Sequence, residues 1–159
     1  MSTSNKRVWK AWLPAFIWLG IIVLESTNLG SSEHTFSLLY PFFHYLFGVT
    51  HASYVTWNHA MRKAGHCIGY SVLTLLLYRA WRATLSGASL AQWAMPWATI
   101  SFLMTAFVAS LDEWHQSYLP SRTGRWQDAV LDSCAALTAQ IILWAILRHR
   151  RQPTPATQT

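Results

Sequence analysis

Charged side chains are scarce in this sequence. They account for 11% of its 159 residues, against about 25% in a typical soluble domain. Only 6 residues are acidic and 12 are basic, whereas apolar residues reach 52%. The length fits a single domain, and so little charge is unusual for a domain whose whole surface faces water. The composition therefore favours a chain that lies largely in an apolar environment.

Cysteine is also scarce, and the motifs of common enzymes are missing. Cys67 and Cys134 both lie in apolar segments without a metal-ligand spacing, so we interpret them as small core thiols. The sequence has no Ser–His–Asp, Cys–His or Walker-type motif and no glycine-rich phosphate loop. These absences remove the usual signatures of nucleophilic catalysis and nucleotide binding, and we expect no cofactor.

The net charge of +6 raises the question of nucleic-acid binding. That function needs Lys and Arg clustered on a soluble face, with aromatic side chains interleaved for stacking. Here the basic residues occur in short groups between long uncharged runs, which is typical of membrane topology signals. The ten tryptophans fit the same setting, because indole rings concentrate where lipid meets water. We expect no nucleic-acid partner.

Four uncharged runs predict membrane-spanning helices at about residues 11–28, 64–81, 93–111 and 129–147. Three of the runs are shorter than the roughly 20 residues that a span needs. Flanking Lys and Arg side chains can extend them toward the lipid headgroups, and no run shows the charged face of a soluble helix. The predicted fold class is all-α, a polytopic membrane bundle of four transmembrane helices, in preference to a soluble helical domain.

Further predictions concern the N-terminal and C-terminal ends of the chain. Lys6, Arg7 and Lys10 precede the first apolar run, which leaves a cleaved signal peptide as an alternative, although no A-x-A-like site follows Glu25. We predict that residues 1–151 form one membrane domain. The Pro- and Thr-rich residues 152–159 are predicted to be a disordered tail.

Residues 35–57, between the first two predicted spans, are uncharged and rich in aromatic side chains. Pro41, Gly48 and the histidines of this region argue against a fifth span. We predict an interfacial or re-entrant segment that lies over the bundle.

The basic residues predict the orientation, because cytoplasmic loops carry more Lys and Arg than outer ones. With the N-terminus in the cytoplasm, four spans return the C-terminus to the same side. The basic residues on the cytoplasmic side are then Lys6, Arg7, Lys10, Arg79, Arg82, Arg148, Arg150 and Arg151. Those on the outer side are Arg62, Lys63, Arg122 and Arg125, together with all six acidic residues.

Charged and polar residues gather at the outer ends of the predicted helices. Charge so close to hydrocarbon is costly unless the groups face one another or a wet cavity, so we predict one shared site at this mouth of the bundle. Lys63, His66 and Tyr70 are spaced to lie on one helical face. The predicted site comprises Lys63, His66, Tyr70, Asp112, Glu113, Gln116, Arg122, Asp128 and Asp132.

The last two helices should lie close together in sequence and space. A short turn joins them, since Pro120 ends one helix and Gly124 loosens the chain before the next. Further along the last helix, the small residues Ala135, Ala136 and Ala139 would let a neighbouring helix approach closely.

The order of these polar residues resembles the VanZ family of small integral membrane proteins, also known as the teicoplanin-resistance protein family. In that family a Lys and a His open one span, an Asp-Glu pair with a Gln and a Pro-x-Arg closes the next, and an Asp opens the last. The matching residues are Lys63, His66, Tyr70, Asp112, Glu113, Gln116, Pro120, Arg122 and Asp128. The serine-containing residues 25–32 are also similar, and the resemblance covers roughly residues 12–147.

Two positions depart from the family's pattern. Asp132 stands where the family commonly has Asn, and Ala135 stands where it commonly has Gly. Asp128 and Asp132 are four residues apart, so the two carboxylates lie near each other on the helix. Such a pair predicts either a retained proton or a compensating cation.

The resemblance implies a membrane protein of the bacterial cell envelope, in the inner membrane, and the family's founding member is associated with low-level teicoplanin resistance. We therefore expect the present protein to bind or modify a membrane lipid or a lipid-linked cell-wall precursor at the outer leaflet. Lys63, Arg122 and Arg125 would hold its phosphate or carboxylate. The acid–base candidates for a reaction are His66, Glu113 and Asp128. The remaining predicted binding residues are Tyr70, Asp112, Gln116 and Asp132.

Two alternatives stay open. In a structural one, Lys63, Arg122, Asp112 and Asp128 form a buried ion-pair network that fixes the helix register without a ligand. In a metal-dependent enzyme, the candidate ligands would be His66, Asp112, Glu113, His115, Asp128 and Asp132. We expect no metal, because the sequence has no compact ligand signature and Lys63 and Arg122 would oppose a cation. Glu25 is either a member of the site or a simple helix terminus.

Overall fold

In a computed structural model, residues 3–27, 32–85, 94–120, 122 and 124–149 are described, and the predicted tail 152–159 lies outside them. All regular structure within these residues is helical, which confirms the all-α fold class. The helices in chain order are α1 (Thr3–Ser26), α2 (Ser32–Phe47), α3 (His51–Leu85), α4 (Met95–Gln116) and α5 (Trp126–His149).

Within the described part of the chain, three helices contain segments that are long and apolar enough to cross a membrane. These segments are Asn5–Ser26, Met95–Gln116 and Trp126–Arg148. A helix of 22 residues is about 33 Å long, which matches a hydrocarbon core of about 30 Å. Three of the four predicted spans are thus found, and α1 is longer than its uncharged run because the helix continues through Lys6, Arg7 and Lys10.

The remaining predicted span, at about 64–81, lies within α3, and α3 is not among the helices that meet this test. Four transmembrane helices are therefore not confirmed. The reason lies in the packing, because α3 contacts all four other helices of the described fold. Polar side chains such as Tyr70 and Thr74 are buried against those neighbours, so the central helix needs less lipid-facing apolar surface than an outer one.

The predicted aromatic segment folds as α2 and the first two turns of α3. Gly48 separates the two helices with φ of 61°, a left-handed conformation that glycine adopts without the steric cost of a Cβ. Its N–H donates to the carbonyl of His44 at 2.9 Å. The Tyr40 ring packs edge-on against the ring of Tyr54, which is buried on α3. The segment is a helical hairpin, and its position relative to the membrane remains a prediction.

Small side chains let the spanning helices pack closely. The buried core joins Ala15 of α1, Tyr70 and Leu73 of α3, and Ala109 of α4. On α5, Ala136 is fully buried and Ala139 is nearly so.

Close packing of α3 and α5 is also visible in a hydrogen bond. The Ser71 hydroxyl of α3 donates to the backbone carbonyl of Ala135 at 3.1 Å, a contact possible only when two helices approach closely. The predicted alanine face of α5 is thereby confirmed.

The helices place the predicted polar residues at one end of the bundle. At this end α1 and α4 terminate and α5 begins, and we call it the site end. Lys63 lies level with Asp128, so the first turns of α3 extend about 15 Å beyond the start of α5.

Candidate functional site

An ion pair joins α3 to α5 at the site end. Nζ of Lys63 lies 2.6 Å from Oδ1 of Asp128, and both side chains are partly exposed. Asp128 is in the first turn of α5, where the positive end of the helix dipole also favours a carboxylate. Both residues belong to the predicted site, and the structure brings them together as partners of each other.

A second pair is buried one level deeper. The Tyr70 hydroxyl donates to Oδ2 of Asp112 at 2.7 Å, and both side chains are buried. This bond links α3 to α4 and supplies the donor that a buried carboxylate needs. Tyr70 and Asp112 are therefore hydrogen-bond partners of each other, although both were predicted to contact a substrate.

Arg122, in the turn between α4 and α5, binds the end of α1. Its guanidinium donates to the backbone carbonyls of Glu25 and of Thr27, the latter at 3.1 Å. Carbonyls at a helix C-terminus have no partner within the helix and carry partial negative charge, which suits an arginine. Glu25 takes part through its backbone, while its side chain is exposed. Arg122 thus holds the turn in place and is 8% exposed.

Three predicted residues from three helices converge beside these pairs. A nitrogen of His66 (α3) and carboxylate oxygens of Glu113 (α4) and Asp132 (α5) all lie within 4.8 Å of one another. We call these three residues the His–Glu–Asp cluster. Glu113 also accepts a hydrogen bond from the backbone N–H of Arg125 at 2.8 Å. The α4–α5 turn therefore fixes the orientation of the Glu113 side chain.

Besides Nε of Arg122, two buried polar atoms near this level have no hydrogen-bond partner among the described residues. One is Oδ2 of Asp132, whose contact with Nδ1 of His66 is 3.5 Å long, too long for a well-formed hydrogen bond. The other is Nε2 of Gln116, on a side chain that is 4% exposed. Unpaired buried polar groups are rare and costly, so they mark the part of the site that is incomplete.

An open groove runs between α4 and α5 from the site end toward the middle of the bundle. It has a volume of about 540 Å³, and most of its lining is apolar. Glu113 and Arg125 lie at its polar end, while Phe102 and Leu137 line it near the middle of the two helices. The eleven-residue step from Phe102 to Glu113 corresponds to about 16 Å along α4. The groove is therefore about as deep as one leaflet of a bilayer.

The structure adds polar contacts that the sequence pattern did not single out. His115 lies 3.2 Å from the Ser26 hydroxyl, which ties α4 to the end of α1. Deeper in the bundle, the Gln140 amide donates to the Thr74 hydroxyl at 3.0 Å. The four-residue spacing that links Asp128, Asp132 and Ala136 on α5 would have indicated Gln140 as well, but the site predicted from the sequence did not extend that far. His115 is among the candidate metal ligands named from the sequence, but its partner Ser26 lies 89 residues away in sequence, so this contact follows only from the packing of α4 against α1.

Comparison with known proteins identifies one family. The sequence model of the family described as VanZ/LLP1 matches residues 11–148. This match covers both polar motifs and all the predicted site residues, and it confirms the resemblance drawn from them. No curated protein and no solved structure matches the chain.

Proposed function

Because the chain belongs to the VanZ/LLP1 family, and is a VanZ-like membrane protein with membrane-spanning helices, we propose that it binds a lipid or a lipid-linked cell-wall precursor of the bacterial envelope. The bound molecule occupies the groove between α4 and α5, with its polar part at the site end. The substrate class is the one predicted from the sequence. The proposed contact surface is the groove, because Lys63 is paired with Asp128 and Tyr70 with Asp112.

The groove is the observation that carries this proposal. Its walls are apolar over the depth of one leaflet, and its polar end holds one carboxylate and one cation, Glu113 and Arg125. An acyl or polyprenyl chain needs an apolar surface of that depth, and its phosphate needs a cation at the headgroup level.

Arg125 is the residue best suited to hold the phosphate. Its side chain is exposed at the mouth of the groove and forms no ion pair with any described residue. Lys63 and Arg122, the other predicted phosphate ligands, are engaged by Asp128 and by backbone carbonyls. Acid–base chemistry on a bound headgroup would fall to His66 and Glu113, because Asp128 is held by Lys63.

We place the site end at the outer leaflet and both termini in the cytoplasm, with the chain in the bacterial inner membrane. The support is the excess of basic residues on the termini and on the opposite end of the helices. A cell-wall precursor bound at the outer leaflet would be partly shielded from glycopeptides, so a change in teicoplanin susceptibility is the cellular effect to look for.

Binding can be tested with the full chain in phosphatidylcholine nanodiscs. Native mass spectrometry would measure retention of a polyprenyl-diphosphate-linked precursor, with an anionic phospholipid as the competing source of the same chemistry. Arg125→Ala should weaken binding by about tenfold or more, since a charge-assisted phosphate contact contributes on that scale. Arg148→Ala is the matched control, because Arg148 is an exposed cation at the opposite end of α5, stacked over Trp144.

A second variant separates the contribution of the lipid's hydrocarbon chain to binding from that of its headgroup. Ser133→Trp would fill the groove at mid-depth and should abolish retention of the precursor while leaving Arg125 in place. If both Arg125→Ala and Ser133→Trp bind as well as the natural sequence does, the groove is not the binding site.

The structural alternative also has an observation in its favour. Lys63 with Asp128 and Tyr70 with Asp112 are mutually paired, as a network that fixes helix register would require. We assign these pairs to the register of α3 against its neighbours. This role predicts that the Lys63 and Asp128 charges can be exchanged without loss of function.

A further inference from the structure

The His–Glu–Asp cluster has the composition and spacing of a metal site. One imidazole nitrogen and two carboxylate oxygens, from three different helices, lie within 4.8 Å of one another. Ligand atoms around a transition metal sit about 2.0–2.2 Å from the ion. Oxygen and nitrogen atoms already this close need only small side-chain rotations to reach such an arrangement.

Asp132 gives an independent sign that a ligand is expected there. Its side chain is 1% exposed, and Oδ2 accepts no hydrogen bond from a described residue. Among the described side chains only His66 lies within ion-pair distance of it, at 3.5 Å. A carboxylate taken out of water without donors is strongly destabilised unless a cation compensates it. The unpartnered oxygen points at His66, and so into the cluster.

The sequence predicts no metal, because it has no compact ligand signature and because Lys63 and Arg122 would oppose a cation. In the structure both of these cations have other partners. Lys63 is paired with Asp128, and Arg122 donates to the carbonyls at the end of α1. Arg62 interacts electrostatically with Glu113 and Glu25, so it offsets part of the Glu113 charge. Among the described residues only His66 lies within ion-pair distance of Asp132, at 3.5 Å, so neither Lys63 nor Arg122 compensates the Asp132 carboxylate.

We propose that His66, Glu113 and Asp132 bind one divalent transition-metal ion, of the class that accepts imidazole and carboxylate ligands, such as Zn²⁺ or Mn²⁺. Three protein ligands leave a coordination position for water or a further ligand. Glu113 also lines the α4–α5 groove, so the cluster borders the groove at this side chain. The proposal does not depend on which lipid, if any, the groove binds. With an ion bound, His66 and Glu113 would be its ligands and would no longer serve as acid–base groups.

Metal content of the purified full chain tests the proposal directly. After treatment with a chelator and reloading with Zn²⁺ or Mn²⁺ alone, elemental analysis should find one ion per chain. Asp132→Asn and Glu113→Gln should each lower the affinity by about 100-fold or more, since changes even outside the ligand set cost 10- to 100-fold. Asp112→Asn is the matched control, because Asp112 is the neighbouring buried carboxylate of α4 but belongs to the Tyr70 pair.

Two further measurements keep the result independent of folding. Size-exclusion chromatography and circular dichroism identify any variant that misfolds, and His66→Gln then replaces it in the comparison. X-ray absorption of the Zn²⁺-loaded chain should show only nitrogen and oxygen ligands, including one imidazole. Less than stoichiometric metal in the natural sequence, equal loss in Asp112→Asn, or a sulfur ligand from Cys67 or Cys134 would each overturn the proposal.

Discussion

Lys63 and Asp128 show how individual residues of the site divide into two groups. Their 2.6 Å ion pair satisfies both charges, as the Tyr70–Asp112 hydrogen bond satisfies a buried carboxylate. Asp132 belongs to the other group, because it is buried, its contact with His66 is 3.5 Å long, and its Oδ2 atom accepts no hydrogen bond from a described residue. Paired residues stabilise the arrangement of the helices, whereas an unpaired buried one is where a ligand gains the most.

Reversing one charge of the Lys63–Asp128 pair should be more harmful than reversing both. Lys63→Asp places two carboxylates side by side and should lower the free energy of unfolding by at least about 1 kcal/mol. Adding Asp128→Lys restores an opposite pair and should recover most of that loss. Unfolding in a graded SDS series, followed by tryptophan fluorescence, measures both variants.

The two hypotheses for this pair, a role in helix register and a role in ligand binding, predict different results in the lipid-binding assay. For a pair that only sets helix register, the double variant should retain the precursor as well as the natural sequence does. Restored stability together with lost binding would instead assign Lys63 and Asp128 to the ligand.

The turn between α4 and α5 is the element that organises the site. It carries Arg122 to the end of α1 and the Arg125 N–H to Glu113. Gly124 makes this path possible, because a Cβ there would lie 2.1 Å from the Glu113 carbonyl oxygen and 2.5 Å from the Ser117 nitrogen. Both obstacles are backbone atoms, so no side-chain rotation can relieve the clash.

Gly124→Ala should therefore displace the turn and destabilise the protein by about 1–3 kcal/mol, as overpacking of a tight site commonly does. Gly65→Ala is the matched control on α3, where an added Cβ meets nothing within 4 Å. It should be neutral or stabilising by up to about 1 kcal/mol, because alanine favours the helix. Thermal unfolding in one detergent compares the two, and equal midpoints would show that the turn is not constrained at Gly124.

At the scale of the whole molecule, the orientation in the membrane decides which leaflet the site can serve. Tyr118 lies in the α4–α5 turn at the site end and is 69% exposed, while Asn5 lies near the start of α1 at the opposite end. In a chain with Cys67→Ala and Cys134→Ala, a single cysteine at either position reports its side of the membrane.

A membrane-impermeant maleimide should label Tyr118→Cys in intact spheroplasts, and should label Asn5→Cys only after the membrane is permeabilised. The physical reason is the excess of basic residues toward the termini. Labelling of Asn5→Cys alone in intact cells would invert the topology and move the site to the cytoplasmic leaflet.

The polar motifs and the helix-end positions of the charges were predictable from sequence, because helical spacing brings Lys63, His66 and Tyr70 to one face. The alanine face of α5 followed from the same periodicity. The spans were predicted less completely. Periodicity cannot tell that α3 continues from His51 to Leu85 or that it lies at the centre, where contacts on all sides relax the need for apolar residues.

The family, the all-α class and the gathering of polar residues at one end of the bundle were all predictable before the fold was known, because they depend on composition and on spacing along single helices. The partners of the individual side chains became known only from the packing of the helices. Lys63 faces Asp128, Arg122 faces the end of α1, and Asp132 faces His66 without a hydrogen bond. Partner choice depends on how helices distant in sequence are rotated and shifted against each other, and no local pattern encodes that.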